Sequence, residues 1–535
     1  MPDSKAAYLA LAMVLVLGLC LSLLFFTGPF YAFDDQSYIA YAHQMLNGTF
    51  RLAESPYAYG FLVPLSIAAS FSVFGANVAA SALPSITEYL IIILLAFAIA
   101  KKAYGRGYGL VSAFLAATAP FIVGYSTRVL PDMAVGMVAG ISILFFVYAQ
   151  GKRNSELFYS LSGAFAALTV YVKLVGLAYL AFFVIAVMLY GFIKPKQKPR
   201  TMPQYAFLYS LAGVAVIVLL YAAIFQAYGN GVLVALGTYG QNQNSISPTT
   251  LGKNAVAMLV MLIGTFGYIN PNNLFAPFMD PQVFPLGLMV LFSACGTLIG
   301  LIKRDMRLVF LSVLLWGVFF YLFFGTVTLT RYSFMAVVSR YFILVSVPIA
   351  VLAAYSVCGV SNFLSSCFRI RSVYFVTLFL LAIMLLDIPI YNTLYNYNIS
   401  ISGDARTFSG MLNYLAKNQS SKINISISDN YSATNFLRFL LGYNKSSDIR
   451  IIPTDFSNRA NITAWVNKEC RPGMGNAYFA LVYSNYSEAQ YETIFQNWIM
   501  KYCNLTEVRA FQDVPSSNGI YANDVNVDIK LYKIG

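Results

Sequence analysis

AAYLALAMVLVLGLCLSLLFFTGPFYAF, residues 6–33, carries no charged side chain from end to end. As an α-helix it rises ~1.5 Å per residue, and ~20 residues already cross the ~30 Å hydrocarbon core of a bilayer. The run is too long for the core of a cleaved signal peptide, and no small-residue cleavage site follows it. It reads as a retained signal anchor, and it sets the pattern for most of the chain.

Further apolar runs of similar length recur up to about residue 390, near 82–100, 108–124, 132–149, 156–172, 175–193, 204–227, 283–301, 308–325, 341–359 and 373–390. With residues 6–33 they make about eleven crossings, for backbone polar groups in lipid must be satisfied within each segment. The whole 535-residue chain is 59% hydrophobic and 10% charged, where a soluble protein carries roughly 25% charged residues. The segment 254–269 is also apolar, but letting it cross would reverse the sidedness of Lys303, Arg304 and Arg307, so it reads as interfacial or re-entrant.

The net charge of +13 is topological rather than a nucleic-acid footprint. Lys5, Lys101, Lys102, Arg106, Lys152, Arg153, Lys194, Lys196, Lys198, Arg200, Lys303, Arg304, Arg307, Arg369 and Arg371 fill short gaps that alternate with gaps poor in Lys and Arg. The positive-inside rule then places the N-terminus in the cytoplasm and the C-terminus outside. Sequons agree: they begin at Asn398, Asn418, Asn424, Asn430, Asn444, Asn461, Asn485 and Asn504, all after the last run, and at Asn47 in the first outer loop. An Asn/Ser-rich segment also makes sequons by chance, yet none falls in a cytoplasmic gap.

Residues 1–390 therefore read as a polytopic α-helical membrane domain and 391–535 as an extracytoplasmic α/β domain. In the latter, strand-like runs at 423–428, 449–453, 477–483 and 526–533 alternate with helix-like runs at 405–417, 431–441 and 488–500, the pattern of a small parallel or mixed sheet with covering helices. It holds no Gly-rich phosphate loop and no nucleophile elbow. Six scattered cysteines form no CxxC motif; Cys470 and Cys503 share this domain, where a disulfide is compatible but not demanded.

Charges at membrane depth are costly and face a cavity or a partner. Of 34 basic residues, 15 are cytoplasmic and 13 lie after residue 390, which leaves Arg51, Arg128, Lys173, Lys253, Arg331 and Arg340. The carboxylates left by the same subtraction are Asp34, Asp35, Glu54, Glu88, Asp132, Asp280 and Asp387. Most sit at outer ends of spans or in outer loops, so one outward-facing charged cavity would gather them.

Phe33-Asp34-Asp35-Gln36-Ser37-Tyr38 is the sharpest local feature. Tyr38, Tyr41, Ala42, Met45 and Leu46 repeat at helical spacing behind it, which predicts an amphipathic helix lying in the interface. One aspartate suffices as its cap; the second suits a base serving an exofacial substrate. Asp132 follows Pro131 and opens a span, so it either caps that helix or joins the chemistry. Lys173 is either a snorkelling lysine or a phosphate ligand. Arg331 and Arg340 either anchor to lipid headgroups or hold donor phosphate. Tyr57 and Tyr59 suit a sugar pocket or an interfacial aromatic belt. His43, the only histidine, stands beside the stripe and away from any nucleophile, which argues against Ser-His-Asp chemistry.

The order of these features resembles that of GT-C glycosyltransferases of the protein O-mannosyltransferase and aminoarabinose-transferase type. A first span is followed by Asp34-Asp35-x-x-Tyr38, then Pro56-Tyr57-x-Tyr59-Gly60, Arg128 to Asp132, Lys173-x-x-Gly176, and Ser339-Arg340-Tyr341 at a late span. The family commonly has Asp-Glu where Asp34-Asp35 stands here. The Trp-Trp-Asp motif of the oligosaccharyltransferase branch is absent, since Trp316, Trp465 and Trp498 are isolated.

The resemblance implies a monosaccharide transfer from a polyprenyl (dolichyl) phosphate donor, such as dolichyl phosphate mannose, to an exofacial protein, glycan or lipid, with inversion. It makes Asp34, Asp35 and Asp132 the catalytic candidates, and Tyr57, Tyr59, Arg128, Lys173, Arg331 and Arg340 the substrate-binding ones. Some relatives use a divalent cation; Asp34 and Asp132 would supply oxygen ligands to Mg or Mn. The sequons and the compact chain suit an archaeal plasma membrane with the C-terminal domain outside, or else an ER membrane with that domain lumenal. The rival classes are a transporter or flippase for lipid-linked sugars, which calls for inverted repeats or paired broken helices, and a non-catalytic receptor.

Overall fold

A computed structural model describes residues 4–26, 34–50, 60–150, 155–193, 203–228, 255, 257–258, 260–262, 285–325 and 338–418, and strands at 423–427, 449–453, 477–484, 505–511 and 527–534. The helices, numbered in chain order, are α1 Ser4–Leu24, α2 Asp35–Leu46, α3 Leu62–Phe74, α4 Val78–Tyr104, α5 Arg106–Ala117, α6 Pro120–Val123, α7 Pro131–Ala149 and α8 Ser155–Val172. After them come α9 Gly176–Ile193, α10 Pro203–Tyr228, α11 Leu288–Lys303, α12 Met306–Phe324, a 3₁₀ helix Ser339–Val345, α13 Ser346–Phe368 and α14 Ser372–Asn418. Every apolar run read as a crossing holds helix. Among the described residues seven segments are long and apolar enough to cross a membrane: Lys5–Leu24, Val78–Tyr104, Pro131–Ala149, Tyr205–Ile224, Met306–Phe324, Ser339–Phe368 and Ser372–Asn392. The protein is a multi-pass α-helical membrane protein.

The chain divides into two compact units, one of residues 1–25, 49–65 and 85–394, the other of 26–48, 66–84 and 395–535. In the first, lipid supplies no hydrophobic drive between helices, so close backbone approach and hydroxyl bonds do the work. Ser142 Oγ donates to the Ser162 carbonyl at 2.9 Å and Ser162 Oγ returns the bond to Ser142 at 2.8 Å, joining α7 to α8. Gly163 meets the Ser210 backbone and Gly213 that of Ser160, so α8 and α10 touch main chain to main chain. Tyr179 Oη donates to the Ala139 carbonyl at 3.0 Å, fastening α9 to α7. These seams fix where the α8–α9 turn stands beside the start of α7.

The second unit contains α2, the Ser70 Oγ to Ala80 carbonyl bond at 2.6 Å, and a five-stranded sheet. Its order is β2-β1-β3-β5-β4, with β1 Ile423–Ile427, β2 Ile449–Pro453, β3 Ala477–Ser484, β4 Leu505–Phe511 and β5 Val527–Ile534. β1 pairs in parallel with β2 and β3, whereas β5 pairs antiparallel with β3 and β4. The mixed sheet is as expected. The edge strand β4 is not read from sequence because LTEVRAF lacks a clean apolar alternation, and its charges suit an edge. The helix expected at 405–417 is the end of α14, which continues unbroken past Pro389. The runs 431–441 and 488–500 lie outside the described residues.

Candidate functional site

The site in the first unit begins at the end of a buried loop. α6 ends at Val123, and a series of turns carries the chain through Arg128, whose amide donates to the Tyr125 carbonyl at 3.2 Å. Ser85 Oγ donates to the Arg128 carbonyl at 2.6 Å, pinning the loop to α4. Ser126 Oγ donates to the Val123 carbonyl at 2.8 Å, so Ser22 is the donor in its 2.8 Å bond with Ser126. The Arg128 side chain is 1% exposed. A guanidinium stays ionised in a protein, so burial of this depth belongs with anionic or strongly dipolar surroundings.

Two residues on, Pro131 and Asp132 open α7, and Leu130 at the N-cap position makes no side-chain cap. Proline pre-sets the first helical φ, and a carboxylate in the first turn complements the helix dipole. Capping is not the whole account of Asp132, because its Oδ1 accepts from Lys173 Nζ at 2.6 Å. The side chains are 2% and 18% exposed, respectively. Asp132 Oδ2 is buried and has no hydrogen-bond partner among the described residues.

Lys173 occupies the tight α8–α9 turn, its amide donating to the Thr169 carbonyl at 3.1 Å and its own carbonyl accepting from Gly176 at 2.8 Å. A Cβ on Gly176 would collide with the Thr169 backbone, so the Lys173-x-x-Gly176 spacing is a steric requirement. Gly60 packs on the same turn; a Cβ there would lie 2.5 Å from the Val172 carbonyl oxygen. Beside it, the Tyr171 and Tyr221 rings stack with centroids 3.5 Å apart, and Phe61 stacks on Tyr221 at 5.8 Å.

The 3₁₀ helix completes the cluster. Gly136 lets α7 approach it so closely that a Cβ would fall 2.6 Å from the Ile343 carbonyl oxygen. Tyr341 thereby lies under two cations: Lys173 Nζ is 4.4 Å from its ring centroid and Arg340 Cζ is 5.6 Å. Each contact is worth about 0.5–2 kcal/mol, and together they hold like charges near one another. Among the described residues Asp132, Lys173, Arg340 and Tyr341 thus form one group that holds two cations and one carboxylate.

In the second unit Asp34 occupies the N-cap position of α2 without a side-chain capping bond, and Asp35 in the first turn is buried. Tyr38, Tyr41 and Ala42 are buried as the stripe requires, but Ile39 and Ala40 between them are buried too. This half of α2 is enclosed rather than laid flat with one face to water, which corrects the interfacial reading. His43 Nε2 lies 3.0 Å from Asn47 Nδ2, a helical i, i+4 pair, in keeping with a structural role. Tyr57, Tyr59 and Arg331 lie outside the described residues. Tyr341 is the member of the Asp132–Lys173 group that reasoning from charge passes over, although it stands inside the Ser339-Arg340-Tyr341 motif.

Solved structures with this arrangement of helices exist. ArnT from Cupriavidus metallidurans in the apo state superposes with a TM-score of 0.55 at 11% identity, covering 99% of this chain and 98% of that one. ArnT bound to undecaprenyl phosphate gives 0.54 at 11% identity, over 99% and 98% of the two chains. The chain has the GT-C fold. An Archaeoglobus fulgidus oligosaccharyltransferase tethered to an acceptor peptide, also a GT-C protein, gives 0.51 at 14% identity, over 93% of this chain and 71% of that one. The family model described as dolichyl-phosphate-mannose-protein mannosyltransferase matches residues 58–224. Of the motifs read from sequence, that range holds Gly60, Arg128, Asp132, Lys173 and Gly176, whereas Asp34-Asp35-x-x-Tyr38, Pro56-Tyr57 and Ser339-Arg340-Tyr341 begin or lie outside it. Among curated proteins none matches the chain by sequence.

Proposed function

We propose that this protein is a membrane-bound glycosyltransferase that moves a monosaccharide from a polyprenyl phosphate to an acceptor on the outer face. The observation that carries the reading is the Asp132–Lys173–Tyr341–Arg340 group in a GT-C fold. Its two cations suit a leaving phosphate, which gains negative charge as the glycosidic bond breaks. Cations aimed at that oxygen stabilise the transition state more than the ground state. The matched family and the ArnT complex with undecaprenyl phosphate point to the same donor class.

In this mechanism a single displacement inverts the anomeric carbon. Asp34, or Asp35 beside it, accepts the proton of the acceptor hydroxyl as that oxygen attacks. Lys173 and Arg340, with Arg128 and Arg331, receive the phosphate. Asp132 orients Lys173 rather than acting as base, because its Oδ1 is already engaged. Tyr57 and Tyr59 line the sugar. We place residues 1–390 in the membrane and 391–535 outside it, in a plasma membrane, with an ER membrane and a lumenal domain as the alternative.

Asp132 fits poorly as a ligand for Mg or Mn. Lys173 already neutralises it, and the remaining Oδ2 is one oxygen where Mg takes about six ligands. Among the described residues no group of three or more His, Cys, Asp or Glu side chains gathers. No step is routed through a metal, and turnover lost to a chelator and restored by Mg or Mn would assign one.

Reconstituted Asp34→Asn tests the base: it should fold and bind donor yet lose transfer by at least the ~10²-fold expected for a general base, and unchanged turnover would move the role to another carboxylate. A flippase for lipid-linked sugars would carry inverted repeats or paired broken helices, and none is evident in the sequence.

A further inference from the structure

At the opposite end of α7 the chain holds a second basic group with a different construction. Lys101 Nζ donates to Tyr8 Oη at 2.8 Å and lies 4.8 Å from that ring and 5.4 Å from the Phe97 ring. Lys102 Nζ lies 5.4 Å over Tyr148, and Lys303 Nζ 5.7 Å over Tyr355. Tyr355 in turn contacts Tyr104 at 4.8 Å and Tyr108 at 5.7 Å between centroids. Arg307 ties the helix ends together, its Nε donating to Gln150 Oε1 at 2.9 Å and its Nη1 to the Ala103 carbonyl at 2.8 Å. The ends of α1, α4, α5, α7, α11 and α12 and the flank of α13 therefore meet in one aromatic-lined surface.

Among the described residues no carboxylate forms an ion pair with the cations of this surface. The described carboxylates at this end are Asp305 and Glu156, and among the described residues neither forms an ion pair. Asp305 is engaged as the cap of α12, accepting from the Arg307 amide at 2.9 Å. Lys102, Lys303, Arg106 and Arg304 are exposed. Tyrosine rings hold the lysine stems without cancelling their charge, at the ends of the candidate spans Val78–Tyr104, Pro131–Ala149 and Met306–Phe324. Tyr148 is 16 residues beyond Asp132 on one helix, a rise of ~24 Å, so this surface is separate from the Asp132–Lys173 group.

We infer that this surface is a binding site for the phosphate of an anionic phospholipid in the leaflet at that face. The inference does not rest on the proposed transferase activity. Phosphate charge would be met by Lys102, Lys303, Arg106 and Arg304, and the tyrosines would sit at headgroup level as amphipathic rings do. Each cation near a lipid surface is worth about fivefold in affinity, so loss of four predicts several-hundredfold weaker retention.

The test is native mass spectrometry of the full chain released from phosphatidylcholine bilayers doped with phosphatidylglycerol. Wild type should retain phosphatidylglycerol in preference to phosphatidylcholine. Lys102→Gln/Arg106→Gln/Lys303→Gln/Arg304→Asn should lose it; asparagine suits position 304, where φ is +52°. Arg369→Asn/Arg371→Gln removes charge outside the tyrosine cluster and should keep the lipid. Equal loss in both variants would reduce the effect to general surface charge and overturn the site, as would retention by the quadruple variant. No preference in wild type would overturn it whether or not any variant folds. Inorganic phosphate displacing the lipid at comparable concentration would overturn the lipid assignment in favour of a free phosphoryl group.

Discussion

Removing the ammonium of Lys173 should injure the protein through the carboxylate it leaves behind. In Lys173→Met, Asp132 stays at 1% exposure without its cation, with Oδ2 already without a described partner and Oδ1 newly stripped. Breaking a buried pair from one side costs about 3–5 kcal/mol, and the 18% exposure of Lys173 puts this case at the lower end, about 3 kcal/mol. Asp132→Asn leaves a lysine that can reach water and still rests on Tyr341, so it should cost about 1–2 kcal/mol. The double variant pairs a neutral amide with a thioether and should cost about 2 kcal/mol, less than Lys173→Met alone. The coupling energy is then about 2–3 kcal/mol, readable as a double-mutant cycle from equilibrium unfolding in mixed micelles. Additivity within about 0.5 kcal/mol would refute the pair as a buried, coupled unit.

Other perturbations probe the supports. Tyr341→Phe should preserve donor KM because the ring face is kept, whereas Tyr341→Leu should raise it about fivefold by releasing Lys173 and Arg340; steady-state kinetics with a polyprenyl-phosphate sugar separates the two. Gly176→Ala meets the Thr169 backbone and should cost more than about 3 kcal/mol or prevent folding, seen as lost monodisperse protein on size exclusion. Arg307→Ala deletes two charged hydrogen bonds at the far helix ends and should cost about 2–4 kcal/mol in thermal unfolding without altering donor KM.

The membrane part was legible because its signal is thermodynamic: a run such as residues 6–33 has no alternative to a helix in lipid. Asp132, Lys173 and Arg340 could be shortlisted by subtraction, since charges near spans are scarce, and three of the shortlisted residues do converge. The partner that organises them could not. Tyr341 is one of 39 tyrosines, and only the approach of α7 to the 3₁₀ helix at Gly136 gives it two cations. Likewise Gly60 and Gly176 stood in the motif, but a glycine's reason is what a Cβ would strike, which is a tertiary fact. The strand β4 escaped because an edge strand is specified by its neighbour β5 more than by its own alternation. The interfacial reading of α2 failed similarly, for a stripe at Tyr38, Tyr41 and Ala42 says which face is apolar and not whether the other face is covered.

Product analysis reaches the central claim most directly. Wild-type protein reconstituted with a panel of polyprenyl-phosphate sugars and a mixed pool of exofacial acceptors should yield, by mass spectrometry, an acceptor heavier by one sugar residue together with free polyprenyl phosphate. A donor that reaches the opposite leaflet with its sugar still attached, and no acceptor changed in mass, would make the protein a carrier and contradict the account.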